Sequence, residues 1–498
     1  MPLVPFGEYL PDLPDYLNPG ATVAKNCFPR TAASYGPIGA LTAYSGALDA
    51  RCQGAYSALD ASGNTNVFAG DAAKLYRLVP ATTAWEDVSE SGGYSTGPDA
   101  LWGFASFGLR VVATNFADAV QSYIIGTDTD FSDLSADAPK ARHCGVIRDF
   151  VFLGNTNDGT DGAVPNRVWW SGYNEPDAWP APGSSTAAEK QSDLQDLQDG
   201  GWVQGIVGGL GTADGAIFLE RKIYRVSYVG PPAIFSFDAV ESARGTPAPG
   251  SIIQLGSVVF YLGEDGFYMF DGSNSKAIGA NKIDKTFFAE VDQSYFARIT
   301  AAIDPINKLV FWSVPISGSS GTLAKQYIYN WSLDRWSTAE FNHELLCRTQ
   351  SFGATLDNLD TIFGDLDSIP FSLDSRAFTA GRLLLSAFTT DHKLAYFTGD
   401  SLEATLETGE FDGGDGQRMY VSGLRAMIDG GAPTAQLRYR NAQGEALTDT
   451  AAATAGADGM IPFRVDTRFS RARVTIPASS SWAHAQGIYP KMRPSGRR

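Results

Sequence analysis

The chain lacks most of what an enzyme, a secreted module or a nucleic-acid wrapper needs. It has four cysteines in 498 residues, Cys27, Cys52, Cys144 and Cys347. Spread so widely, they make no disulfide framework and read as free thiols of a reducing compartment. It has four histidines, His143, His343, His392 and His484. No two of them share ligand spacing with a third partner. His343 and Cys347 stand four apart, but that spacing aligns side chains on a helix and not in a strand-rich stretch. No run of about 18 apolar residues occurs, which excludes a membrane-spanning helix. Met1–Tyr16 holds Glu8, Asp12 and Asp15 and no basic residue, which argues against a secretory signal. Cations are scarce: 38 Lys and Arg stand against 55 Asp and Glu, a formal charge of −17. That excludes nonspecific wrapping of nucleic acid, which needs Lys and Arg to displace counterions. Helical patterning is scarce as well. Ala187–Asp199 is polar and fits an exposed helix or a loop, and Ile283–Val291 is a second short candidate.

What is present points to strands. Aromatics make up 12% and glycine numbers 53, and both are high. Aromatics favour strands and glycine punctuates turns. From residue 35 onward, apolar runs of four to seven residues alternate with Gly, Asp, Asn and Ser. One set is Ile252–Leu255, Val258–Leu262, Gly266–Phe270 and Lys276–Ile278; another is Ile299–Asp304, Lys308–Val314, Lys325–Asn330 and Arg335–Ala339. Sets recur every 40–50 residues or so, the period of propeller blades. Such a unit cannot bury both faces alone, so units stack around an axis, and each first strand passes a crowded centre. About six units fit between 35 and 342, with a seventh candidate over 343–412. Stacked β-sandwiches fit the same short strands and turns and stay open as the alternative. The expected architecture is therefore all-β: a β-propeller of about six or seven blades over 35–414, a small β-sandwich over 415–498, and an extended N-terminal arm over 1–34. The arm is rich in proline (Pro2, Pro5, Pro11, Pro14, Pro19, Pro29) yet apolar, so it should pack on its own domain or on a neighbouring subunit. From Arg418 to Arg498 the balance reverses, with 12 basic against 5 acidic residues. That tail suits an acidic partner or a solvated end.

No residue set reads as catalytic, cofactor-binding or metal-binding. Gly93-Tyr94-Ser95-Thr96-Gly97 has the letters of a nucleophile elbow, but Pro98 and Asp99 follow where a helix is required. Asn155, Asn157, Asp158 and Asp161, and the run Asp357, Asp360, Asp365, Asp367 and Asp374, offer oxygen ligands without the ordered calcium-loop pattern. Gly205–Gly211 is glycine-rich but fails the dinucleotide fingerprint. Glu220, Glu264 and Asp265 suit a carboxylate pair only if their separation fits. Trp169, Trp170, Trp179, Trp312, Trp331 and Trp336 read as seals between blades, or as sugar platforms.

Several segments carry a resemblance. They are Leu13-Pro14-Asp15-Tyr16-Leu17-Asn18-Pro19 leading into Asn26-Cys27-Phe28-Pro29, the segment Cys144–Gly154, the stretch Val168–Trp179, and Leu366–Arg376 with its recurring Leu-Asp pairs. In this order they resemble the tail nozzle or hub proteins of short-tailed bacteriophages, also called packaged-DNA stabilisation proteins. The resemblance implies a structural virion protein, assembled in the host cytoplasm into a homohexameric ring. The ring would contact portal and adaptor proteins and tail spikes or fibres, retain packaged DNA, and let it pass without gripping it. An acidic wall suits that task because it repels phosphates. The loops Gly183–Ala188 and Gly318–Thr322 are candidates to close the passage. The alternative is a propeller-type glycan-binding protein or glycoside hydrolase of the tail.

Overall fold

The computed structural model describes residues 3–496 apart from 17, 212, 354–368, 370–378, 380 and 415. The described chain is all-β with a propeller-like arrangement of four-stranded antiparallel sheets. Sheet I is Gly54–Leu59, Thr65–Gly70, Leu75–Val79 and Ala84–Asp87. Sheet II is Gly103–Phe107, Arg110–Thr114, Gln121–Ile124 and Ser132–Asp133. Sheet III is Lys140–Ile147, Phe150–Asp158, Gly162–Trp170 and Asp193–Asp196. Sheet IV is Val203–Gly208, Gly215–Leu219, Ile223–Gly230 and Ile234–Glu241. Sheet V is Ile253–Leu255, Val258–Leu262, Phe267–Phe270 and Ser275–Ala277. Four strands of the same pattern, Thr300–Asp304, Leu309–Pro315, Leu323–Asn330 and Arg335–His343, form set VI and begin a larger sheet. Sheet VII takes three strands from late in the chain, Leu345–Gln350, Leu383–Phe388 and Lys393–Tyr396. Its fourth is Thr42–Ala47, which pairs antiparallel with Lys393–Tyr396.

Aromatic side chains seal sheet on sheet, as the tryptophan pattern predicts. Trp312 and Trp336 stack at 5.6 Å, and Phe267 of sheet V lies 4.8 and 5.0 Å from them. Trp170 meets Phe235 of sheet IV at 5.3 Å. Trp85 meets Phe388 across the junction of sheets I and VII at 5.7 Å. Such pairs add about 0.5–1.5 kcal/mol each beyond area burial.

The proline-rich N-terminal stretch does not lie free. Val4–Pro5 pairs with Ala485–Gly496, and Cys27–Thr31 and Ser34–Pro37 join the same six-stranded sheet, whose other members are Arg418–Ile428 and Ile461–Thr467. Val23–Lys25 bridges two parts of the molecule. It runs parallel to the last strand of set VI, with Lys25 opposite Thr338, and antiparallel to Ala404–Glu407, with Ala24 opposite Leu406. The sheet continues into Phe469–Ile476 and Thr434–Arg440. Asp12 caps the helix Asp284–Glu290: its carboxylate accepts from the Lys285 and Thr286 amides at 2.8 Å.

The polar stretch Ala187–Asp199 divides. Ser185–Lys190 is a short helix capped by Ser184, whereas Asp193–Asp196 is the outer strand of sheet III. Four arginines of the basic tail, Arg438, Arg440, Arg471 and Arg473, are engaged within the chain. Glu407, whose side chain is 1% exposed, meets Arg473 at 2.7 Å, Arg438 at 3.3 Å and Arg471 at 3.7 Å, and accepts from Thr22 at 3.0 Å. Arg440 pairs with Glu410 at 2.7 Å, and Arg471 reaches Asp15 of the N-terminal stretch at 2.5 Å.

Candidate functional site: the central tunnel

Each sheet presents its first strand to its neighbours. The first strand of sheet II packs on those of I and III, that of IV on III, that of VI on V and VII, and that of VII on I. Between IV and V, Gln254 donates its side-chain amide to the Gly208 carbonyl at 2.8 Å. The strands converge, and glycine is what admits them. A Cβ on Gly208 would stand 1.9 Å from the Val146 carbonyl oxygen, and one on Gly145 would meet Ile206 at 2.8 Å. This is the physical role of the Gly205–Gly211 run: strand and turn at a crowded axis, with no phosphate loop.

First strands of sheets I to V and VII line a cavity of about 710 Å³. Spread along strands of about six residues, roughly 20 Å, that space, which is the room open to the centre of a water molecule, gives a bore of about 9–10 Å from wall to wall. B-DNA, whose major groove alone is about 12 Å wide, does not fit such a bore. Side chains of Tyr56, Ser106, His143, Gln204, Gln254 and Arg348 contribute the polar wall. Each first strand pairs on one side only within its sheet, so its other edge leaves backbone donors and acceptors toward the axis.

The charge of this wall runs against expectation. In a chain of −17, the tunnel has no acidic lining residue among those described, and Arg348 is its formal charge. At one mouth a smaller cavity of about 170 Å³ adds Arg142 and Asp99, and Asp99 is already bound to Arg298 at 2.5 Å. Burial lowers the pKa of both Arg348 and Arg142; for Arg348 the Tyr56 phenol opposes the shift. Arg142 stacks on Phe116 at 4.8 Å, with its Nε unpartnered. His143 is held down to about 3, by desolvation first and the Arg142 charge second, so it is neutral at ordinary pH.

The other sequence candidates fall elsewhere. Ser95 lies in the loop between sheets I and II, where its amide donates to Asp118 at 2.8 Å, and no helix follows it. His343 is buried, with its pKa lowered to about 4 by desolvation; His392 faces Glu344 at 2.7 Å; His484 shares a hydrogen bond with Ser34 at 2.9 Å. Cys347 neighbours Ser386 rather than His343. Among the described residues no group of three or more His, Cys, Asp or Glu is placed to hold a metal. The loop Asn155–Asp161 is organised by a guanidinium: Arg167 binds Asp161 at 2.6 Å and Asp158 at 3.3 Å, and Asp196 at 2.7 Å on its other side. The run Asp357, Asp360, Asp365, Asp367 and Asp374 lies outside the described residues. Glu220 accepts from the Trp202 amide and Asp265 from the Tyr268 hydroxyl, each a local bond. Neither Gly183–Ala188 nor Gly318–Thr322 lines the main tunnel; Gly321 and Thr322 border a small cavity beside Arg51 and Arg298. Sequence reasoning does not single out Arg348 or Arg142. One arginine in each of two distant strands leaves no local pattern.

No family model matches the chain, and no curated protein matches it. Among solved structures, two of the extracellular domain of BT4673 from B. thetaiotaomicron are similar to it, one described as a one-component and the other as a hybrid two-component system. They share 11% and 10% identity, each with a TM-score of 0.39 over 85% of this chain. The computationally designed Ika8 protein matches 79% of this chain and all of its own, with 8% identity and a TM-score of 0.32. The chain spans about 45% of the length of the first of these structures.

Proposed function

We propose that the chain is a seven-bladed β-propeller with a joined β-sandwich, serving as a structural, non-enzymatic subunit of a ring. In this reading the ring is the tail nozzle or hub of a short-tailed bacteriophage, placed below the portal and adaptor and beside spikes or fibres. It holds packaged DNA and forms its exit channel. The observation that carries the reading is the one-piece build. Val23–Lys25 welds set VI to the sandwich, and Thr42–Ala47 completes sheet VII. A subunit under pressure from packed DNA requires rigidity between its parts, and main-chain pairing supplies it where a flexible linker would not.

The tunnel of one subunit is too narrow for a duplex, so the passage lies between subunits. There the excess of carboxylates over cations lets a polyanion slide without pairing. The arginines of the tail stabilise the sandwich from within, which leaves the outer surface to supply the contacts with neighbours. Light scattering and negative-stain images of the purified chain test the reading. Rings of about 320 kDa, six copies of a 53.2 kDa chain, are the expected result. A monomer at all concentrations, with or without an adaptor protein, would overturn it.

A further inference from the structure

We propose that the central tunnel is a binding site for a small polyvalent oxyanion, held between Arg348 in the bore and Arg142 at its mouth. The argument starts from the cost of an unpaired guanidinium. Arginine cannot neutralise itself by losing a proton, so a fold that desolvates it must supply a counter-charge or tolerate the loss. Elsewhere this chain supplies one: Arg167 has three aspartates, and Glu407 gathers three arginines. Among the described residues neither Arg348 nor Arg142 makes a side-chain hydrogen bond or ion pair; Arg142 stacks on Phe116 with its Nε buried and unpartnered, although carboxylates outnumber cations in the sequence.

The surroundings suit an anion. The bore is lined without carboxylates, and it offers the Tyr56 and Ser106 hydroxyls and the free amides of the first-strand edges. His143 lines both cavities and stays neutral, with a hydrogen bond to the Val203 backbone, so it adds no charge to the wall. The strand Leu345–Gln350 places Arg348 inside the main cavity, while Arg142 lies near the start of Lys140–Ile147, at the mouth. Two cations at different depths suit an elongated ligand with an acidic group at each end. Guanidinium recognises phosphate and carboxylate alike, through paired N–H···O bonds. A bore of about 9–10 Å admits such a molecule and excludes a folded partner.

Titration calorimetry on the full chain, with pyrophosphate and citrate as separate probes at low ionic strength, tests this. One saturable site per chain is expected for at least one probe, and the preferred probe identifies the acid as phosphate or carboxylate. Arg348→Gln and Arg142→Gln should each weaken binding by about tenfold or more. Arg464→Gln, on the exposed face of the sandwich, should leave it unchanged. Melting serves as the folding control. Arg348→Gln should melt no lower than the parent chain, and the melting rise that the bound probe gives the parent should vanish in the double variant. Absence of saturable binding for both probes, or binding that survives in the folded double variant, would overturn the proposal. The readout is per chain and does not depend on ring formation.

Discussion

Replacing Glu407 tests whether the C-terminal sheets rest on their ion network. The Glu407 carboxylate is out of water and faces three guanidiniums and the Thr22 hydroxyl. Removing one partner of a buried pair leaves uncompensated charge and costs about 3–5 kcal/mol. Glu407→Gln keeps the shape and loses the charge, so most of that loss should remain. The thermal reading depends on the unit that melts. Unfolding entropy is about 2.1 cal/mol/K per residue, so if all 498 residues melt together the midpoint falls by about 3–5 °C. If the C-terminal sheets and the N-terminal strands stitched to them, about 120 residues, melt alone, the fall is about 12–20 °C. Calorimetry reads both the size of the shift and the number of transitions. A second substitution, Arg473→Met, should recover part of the loss when combined with Glu407→Gln, since it removes one of the stranded charges. A loss under about 1 kcal/mol for Glu407→Gln, with no recovery in the double variant, would refute the reasoning.

Two further outcomes follow from features described above. Gly208→Ala should destabilise the chain by at least 1–3 kcal/mol or so, because its Cβ has no room beside the Val146 carbonyl; an unchanged denaturant midpoint would mean the first strands can part. Asp284 has its pKa raised to about 7 by burial, against the Phe267 amide that it accepts from, with Asp12 and Asp265 adding to the rise. The folded state therefore keeps a proton that the unfolded state releases above the ordinary carboxyl range. Stability should fall as pH rises from about 4 to 7, by at most about 4 kcal/mol and less with solvent access, and then level. Asp284→Asn should flatten that slope in urea titrations across the window, and an unaltered slope would show that the buried acid is not its source.

Much of the architecture is legible in the sequence, and the reason is local. The strands of sheet V and set VI can be read to within a few residues, because apolar runs such as Val258–Leu262 and Leu309–Pro315 are buried along their length and bounded by tight turns. The strand Asp193–Asp196 escapes such a reading because an outer strand facing water keeps no apolar alternation. The pairing of Thr42–Ala47 with Lys393–Tyr396, and of Val4–Pro5 with Ala485–Gly496, leaves no trace in either segment alone. An arginine and its carboxylate can likewise be hundreds of positions apart, so four arginines of a tail that looks free and basic are in fact paired with Asp15, Glu407 and Glu410.

The closing strand has a consequence for synthesis. Thr42–Ala47 leaves the ribosome early, and its partner Lys393–Tyr396 is made about 350 residues later. At about 5–20 residues per second, the early segment waits for roughly 20–70 s with its main-chain groups unmatched. During that interval neighbouring nascent chains on one message compete for the same edge, and an exchanged strand would join two molecules before either is finished. Slow translation or crowded polysomes should therefore lower the yield of correctly closed chains, while a holding chaperone on the first fifty residues should restore it.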